Sequence, residues 1–418
     1  MQKQMVLSFI DKNAAPEEGY IVIPFLFVQA EDGKVKFRNE VKAALNKDTI
    51  SGREEQFETI IDRLWDVFVR KDVKSLAYFP IEKTWSEDRV NDVFQRLNTG
   101  GVPLSGADLL LSKIKEKCYD YEEKLQLESK NIEVLTQGYI FSSNTLLQMI
   151  HFLVKDTIRI DPDKVKVSEL DNYIEKLPNL FLALEGFAKF FLSEYFNINN
   201  TSIIPRSGAL FPLVMFVYNQ HIKGLSFRNF SAENLRLMKQ YFILSQVNDW
   251  NTQTIIQNCS SLALQSGEIF PLDKIKELVG QNNRLVELSI EGIENYIWFM
   301  LKILLPHRSY ISSTNVTGRY KPELDHIFPI KLKDAPQDYN VDTIWNLQPV
   351  TGVINASKRN THPKEYFARP ENTEVIDQYD YIPKNLSDFL WSDPKQFIQA
   401  RKLSLLKFMQ NEYGIFVK

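Results

Sequence analysis

A short pattern near the C-terminus constrains the fold of this chain more than any other feature. Residues 325–329 read DHIFP, and they are followed by Asn346, by Asn355 nine residues later and by Lys358 twelve residues after Asn346. Residues three apart on a helix are neighbours, so Asn355 and Lys358 share one helix face. The spacing predicts a β-hairpin that begins with the DHIFP stretch, a loop tethered by Asn346, and a short helix: a ββα metal site.

Each residue type in this pattern suits one step of phosphodiester hydrolysis. Histidine side chains titrate near neutral pH, so His326 is a candidate general base that takes a proton from water. Asp325 and Asn355 supply hard oxygen ligands, which fit Mg²⁺ or Mn²⁺ better than zinc. Asn346 is expected to hydrogen-bond backbone across the loop. Lys358 is expected to approach the phosphate as a point charge.

The run DHIFP, NLQPV, Asn355 and Lys358 resembles the HNH nucleases, in the variant with Asn at the third position. The resemblance implies that Asp325 and Asn355 are metal ligands, that His326 is the general base and that Asn346 orients the loop. His362 is an alternative for the third position. It is the less favoured one, because it lies seven residues after Asn355 and this spacing does not match that of the family. DHxxP alone also occurs in ordinary turns, so a degenerate, inactive domain stays an alternative.

A second motif lies upstream, in residues 93–105 (VFQRLNTGGVPLS). It predicts a helix, a turn at the glycine pair, and a second helix capped by Ser105 whose Leu109, Leu110 and Ile114 face inward. Taken alone, this motif is an ordinary corner between two helices.

Together the two motifs resemble the GmrSD-type restriction endonucleases, over residues 20–115 and 310–406. The resemblance implies a ParB-like α/β core that binds and hydrolyses nucleoside triphosphates, and an HNH domain that cuts phage DNA carrying modified bases or phosphorothioate linkages. The DGQQR motif of that core is absent from this sequence. The sequence therefore does not predict nucleotide hydrolysis. Arg96 and Asn98 are candidates for nucleotide binding, and a helix cap or a surface ion pair is the alternative explanation for them.

The predicted fold is mainly α with small α+β parts. Residues 1–115 are predicted to be a truncated ParB-like α/β remnant, residues 116–305 a helical block, and residues 306–418 the HNH domain. Apolar residues recur at helical spacing through the middle block, with breaks near residues 197–200 and at Pro271. A last helix after Pro394 is predicted to pack against the ββα unit.

Charge and cysteine content limit the classes of function. The net charge of −3 gives no overall attraction to a polyanion, so contact with DNA requires local basic patches. Residues 306–370 carry nine basic and six acidic side chains, and Lys331, Lys333 and Arg359 are candidate DNA contacts. Two cysteines are too few for a disulfide framework or a zinc knuckle. Without a signal segment or a long apolar run, a cytoplasmic protein with no membrane partner is expected.

The favoured function is a metal-dependent DNA endonuclease of an anti-phage, type IV-like restriction system. The alternative is a non-catalytic or partner-dependent DNA-sensing subunit, which needs a second protein to supply the missing N-terminal core. An RNA-cleaving toxin is a third hypothesis, because the motif does not report the sugar. One site per chain would favour a homodimer if both strands are cut.

Overall fold

The computed structural model describes residues 105–308, 322–332 and 339–418, and eight isolated helical positions between residues 34 and 65. The chain divides into two compact units, residues 1–101 and 102–418. In the first unit, Arg38 and Lys34 form ion pairs with Asp62, and Arg38 also pairs with Glu58. Most of the predicted α/β remnant lies outside the described residues, including the first helix of the upstream motif, Arg96 and Asn98.

The second unit is built mainly from helices, which confirms the mainly α prediction. Its helices before the hairpin are α1 (Gly106–Lys115), α2 (Tyr121–Thr136), α3 (Ser143–Lys155), α4 (Leu170–Gly186), which continues as a π-helix (Phe187–Tyr195), α5 (Phe211–Ile222), α6 (Ala232–Val247), α7 (Gln253–Leu264), α8 (Leu272–Gln281), α9 (Ile290–Asn295) and α10 (Ile297–Leu304). The strands and the later α-helices are β1 (Glu323–His326), β2 (Leu347–Val350), α11 (Gly352–Lys358), α12 (Pro363–Phe367) and α13 (Pro394–Tyr413), with short 3-10 turns between elements.

Local sequence explains where several of these helices begin and end. Ser105 caps α1 as predicted, with its hydroxyl accepting from the Asp108 backbone N–H while the Asp108 carboxylate accepts from the Ser105 backbone N–H. Such a reciprocal pair satisfies donors that the first helical turn leaves free. The predicted breaks are also confirmed, because the π-helix ends at Tyr195 and α8 begins after Pro271.

Helix α5 lies at the centre of the large hydrophobic core. All its residues from Phe211 to Gln220 are buried, and α4 and α7 pack against it. A helix that is apolar on every side is stable only where neighbours surround it. The described helices include none that is both long and apolar enough to cross a membrane.

The described residues form two hydrophobic cores, and helix α13 contributes to both. Phe397 belongs to the small core around the hairpin, whereas Leu405, Met409 and Tyr413 belong to the large helical core. Together with buried Arg401, these residues recur at every fourth position, so one face of α13 is buried along its length. The predicted packing of the last helix against the hairpin region is confirmed.

Residues on both sides of the predicted boundary at 305/306 share the large core, and the three-domain division stays a prediction.

Lys302 is fully buried at the end of α10. Its ammonium donates hydrogen bonds to the carbonyl oxygens of Pro306 and Arg308, each at 3.2 Å. Both acceptors are neutral, and no carboxylate among the described residues forms an ion pair with this ammonium. Burial lowers the pKa of the Lys302 ammonium to about 7.

We expect Lys302→Met to change how stability depends on pH. Above pH 7 the folded chain releases the Lys302 proton while the unfolded chain keeps it up to about pH 10.4, so the wild-type free energy of unfolding rises across that window. In Lys302→Met, the increase in the free energy of unfolding across this pH window should be smaller by about 2–4 kcal/mol. Urea denaturation between pH 6.5 and 10 measures it, with exposed Lys407→Met as the control. An unchanged pH dependence in Lys302→Met would contradict the prediction.

Candidate functional site

The candidate site is built on β1, β2 and α11. The two strands are antiparallel, with Asp325 opposite Gln348 and His326 opposite Leu347. Thr351 caps the helix that follows, because its hydroxyl accepts from the Ile354 backbone N–H. This is the strand, strand and helix order that the sequence predicts. The assignment of this unit to the HNH nucleases stays a prediction.

Asn346 holds the loop between the two strands. Its side-chain amide donates to the carbonyl oxygens of Phe328 at 2.8 Å and Val341 at 3.0 Å, and its Oδ1 accepts from the Phe328 backbone N–H at 3.0 Å. The Asn346 backbone carbonyl also accepts from the Ile327 N–H at 2.9 Å. The residue is fully buried, so bonds to protein groups replace bonds to water. Asn346 therefore ties both ends of the loop to each other, which is the geometry expected from the sequence.

Strand β1 and helix α11 are joined by two polar pairs. Glu323 and Asp325 share one face of β1 because side chains alternate along a strand. On the inner pair, the Lys358 ammonium donates to Asp325 Oδ1 at 2.9 Å. On the outer pair, the Asn355 amide donates to Glu323 Oε2 at 2.7 Å. Two residues that are two positions apart on β1, Glu323 and Asp325, thus pair with two residues that are three positions apart on α11.

The glycine that begins α11 allows the outer pair to form. A Cβ on Gly352 would lie 2.9 Å from Glu323 Oε1, which is too close for a side chain to fit without displacing the carboxylate. A side chain at residue 352 would therefore require the end of the Glu323 side chain to shift from this position over the first turn of the helix.

Asp325 has a partner on each carboxylate oxygen. Oδ1 accepts from Lys358, and Oδ2 accepts from the Tyr379 hydroxyl at 2.6 Å. The Asp325 side chain is 4% exposed and that of Lys358 is 0% exposed. The Lys358 ammonium donates a further bond to the His326 carbonyl oxygen at 2.6 Å. Burial lowers the pKa of Lys358, against the opposing attraction of Asp325.

This arrangement does not fit the metal site expected from the sequence. A divalent cation at Asp325 would have to displace Lys358 or Tyr379, and Asn355 faces Glu323 instead of Asp325. Lys358 in turn lies within the protein, where a phosphate does not reach it. In the part of the chain that is described, no three His, Cys, Asp or Glu side chains form a group that could hold a metal ion.

His326 extends to the other face of β1 from Asp325. Its Nε2 lies 2.9 Å from Asp342 Oδ1, and the side chains are 24% and 71% exposed, respectively. Solvent therefore reaches this pair, whereas the Asp325–Lys358 pair is dry. Within the described residues, the side chains of His326 and Asn355 hydrogen-bond to different carboxylates, Asp342 and Glu323.

The other predicted site residues lie at the periphery or beyond the described ranges. Lys331 and Arg359 are exposed, and Lys333 lies outside the described residues. His362 caps α12, with Nδ1 accepting from the Lys364 backbone N–H at 3.2 Å, and its ring packs edge-on against Phe328. That position gives His362 a structural role at a helix end.

Arg401 of α13 connects this helix to the hairpin through hydrogen bonds. Its guanidinium donates to the Trp345 carbonyl and to Gln348 Oε1, each at 2.7 Å, and to the Asp380 carbonyl at 3.2 Å. Burial lowers the pKa of Arg401 to about 10. The side chain thus fixes the start of β2 relative to α13.

Sequence reasoning missed three residues that contact the predicted site. Glu323 could have been found, because it lies two residues before Asp325 and so faces the same side of a strand. Asp342 and Tyr379 carried no such signal. They meet His326 and Asp325 across 16 and 54 residues of chain, in loops whose paths no local pattern specifies.

No protein-family model matches this sequence, and no match is found among curated proteins.

We expect Lys358→Met to destabilise the fold by about 3–5 kcal/mol, because it leaves the Asp325 carboxylate buried without its cation. Denaturant-induced unfolding measures the change. Asp325→Asn combined with Lys358→Met should recover much of the loss, since it removes the buried charge as well. Exposed Lys364→Met is the control. A loss below about 1 kcal/mol in Lys358→Met, typical of a surface pair, would contradict this account.

Proposed function

We propose that this chain is an HNH-type endonuclease of a GmrSD-like, type IV-like restriction system that cuts modified phage DNA. The observation that carries the proposal is His326, a solvent-accessible histidine held by a carboxylate at the end of the first strand of a ββα unit. Such a group can accept a proton from water at neutral pH. The resemblance of both sequence motifs to the GmrSD-type enzymes supplies the substrate class.

In this proposal His326 is the general base. A water molecule bound beside its imidazole loses a proton to a ring nitrogen while the water oxygen attacks the phosphorus atom. The bond between phosphorus and the leaving oxygen then breaks, and that oxygen takes a proton from solvent. Proton transfer by a positioned side chain accounts for about 10²–10⁴-fold of rate in such reactions.

The residues around His326 hold it in place. The His326 carbonyl accepts from Lys358, and the next backbone N–H, of Ile327, donates to Asn346. In this proposal Asn346 and Lys358 act through His326 and the loop, and neither touches the phosphate. This assignment replaces the phosphate contact expected of Lys358 from the sequence.

Mg²⁺ or Mn²⁺ is part of the proposal through the family resemblance alone. Because both Asp325 oxygens have protein donors, the steps above use no metal ion. Nucleotide hydrolysis has even less support, since the DGQQR motif is missing from the sequence.

DNA contacts are proposed at exposed basic side chains near the hairpin. Lys331 follows β1, and Arg359 follows α11 with a positive φ of 48°. Both are exposed and carry no carboxylate partner among the described residues. Contacts of this kind attract the phosphate backbone without reading sequence.

The second candidate is a DNA-sensing subunit that cuts only with a partner, or not at all. The specific observation in its favour is the Asp325–Lys358 pair, which neutralises the carboxylate expected to bind metal. In this candidate the hairpin is a stable scaffold, and a second protein supplies a nucleotide-binding core with the DGQQR motif, which this sequence lacks.

The test is plasmid cleavage with Mg²⁺ or Mn²⁺, on unmodified and modified DNA, with and without nucleoside triphosphate. We expect the wild type to cut and His326→Ala to lose at least about 10²-fold of the cleavage rate. His307→Ala, which removes an exposed histidine at the end of the helical block, is the matched control and should cut like the wild type. No cutting under any condition would instead favour the partner-dependent subunit.

A further inference from the structure

We infer that Asp342 is a positioning residue that holds His326 in the tautomer with its proton on Nε2, an inference that rests on the proposed function. The starting observation is the 2.9 Å distance between His326 Nε2 and Asp342 Oδ1. An ionised carboxylate only accepts hydrogen bonds, so the contact is favourable when Nε2 carries the proton. The lone pair is then on Nδ1, which becomes the ring nitrogen that takes a proton from water.

The backbone around Asp342 is fixed although its carboxylate is exposed. The Thr343 N–H donates to the Val341 carbonyl at 3.0 Å, which closes a tight turn around Asp342. The same carbonyl accepts from the Asn346 side chain at 3.0 Å. Val341 on one side and Ile344 on the other are buried. Asp342 therefore projects from a backbone that both hydrogen bonds and packing hold in place.

Asn346, which bonds the backbone beside Asp342, also anchors His326. Asn346 bonds the backbone of Ile327 and Phe328, directly after His326, and also bonds Val341, directly before Asp342. One buried side chain thus fixes both partners of the contact. The separation of 16 residues between His326 and Asp342 is closed by Asn346 and does not depend on the contact itself.

The contact has a chemical consequence beyond its small contribution to stability. An exposed ion pair adds about 0–1 kcal/mol to stability. A carboxylate on a catalytic imidazole acts differently, because it fixes the tautomer and stabilises the imidazolium that forms when the ring accepts a proton. Asp342 would therefore change the rate of the proposed reaction far more than it changes the folding free energy.

Asp342→Asn separates these two effects. The amide keeps the size of the side chain, but it can donate to Nε2 as well as accept from it, so it no longer selects one tautomer. Asp342→Ala removes the contact altogether. Glu371→Gln, which neutralises another exposed acid in the same part of the chain, is the control for the change in net charge.

The first measurement needs no substrate. Nitrogen-15 NMR of histidine-labelled protein distinguishes the protonated from the unprotonated ring nitrogen, and His326→Gln assigns the signal among the five histidines. We expect wild type and Glu371→Gln to show the Nε2–H form, and Asp342→Asn and Asp342→Ala to show a mixture. A wild-type tautomer retained in both Asp342 variants would overturn the inference.

The second measurement is steady-state cleavage. We expect kcat to fall about 10–100-fold in Asp342→Asn with little change in KM, less than a buried triad carboxylate contributes because Asp342 is exposed. Unchanged kcat in this variant, with cleavage abolished in His326→Ala, would overturn the inference and leave the proposed function standing. Failure of the wild type to cut would overturn the proposed function, and the tautomer measurement would still decide the Asp342 contact.

Discussion

The buried ion pair between Asp325 and Lys358 is the interaction on which the C-terminal hairpin depends. It joins the middle of β1 to the last turn of α11 in a place that water does not reach. Neither charge could be buried there alone, because the desolvation of an unpaired ion costs several kcal/mol. Tyr379 on the second carboxylate oxygen and the His326 carbonyl on the ammonium complete the set of partners. The strand and the helix are therefore held in one register.

This pair also separates the structural part of the hairpin from its reactive part. Alternation along β1 sends Asp325 inward and His326 toward the solvent-facing loop. On the face of β1 that carries Asp325, protein groups satisfy the hydrogen-bonding capacity of the carboxylate. On the opposite face, His326 has a single carboxylate partner among the described residues. Neighbouring residues in the sequence thus have different environments. A chain can in this way keep a rigid support next to a group that water can approach.

The parts of the structure that sequence could predict are those that local periodicity specifies. Helical spacing predicted the large block, and on α3 the side chains of Leu146, Met149 and Ile150 are indeed fully buried. The hairpin and short helix followed from the spacing of Asn346, Asn355 and Lys358. The pairing of Lys358 with Asp325 did not follow from that spacing, because the burial of the pair depends on Tyr379 and on the packing around it. Asp342 meets His326 through a loop path, for which the sequence has no periodic signal.

Helix α13 has a consequence for how the second unit opens. Its buried face begins in the small core at Phe397 and ends in the large core at Tyr413, with Arg401 bonded to the hairpin between them. A fluctuation that unfolds the whole helix removes packing from both cores at once, because the helix contributes side chains to each. Amide hydrogens in β2 and in the helical block should then exchange through the same cooperative opening, as parts of one foldon. The hairpin thus draws its local stability from a core far larger than its own.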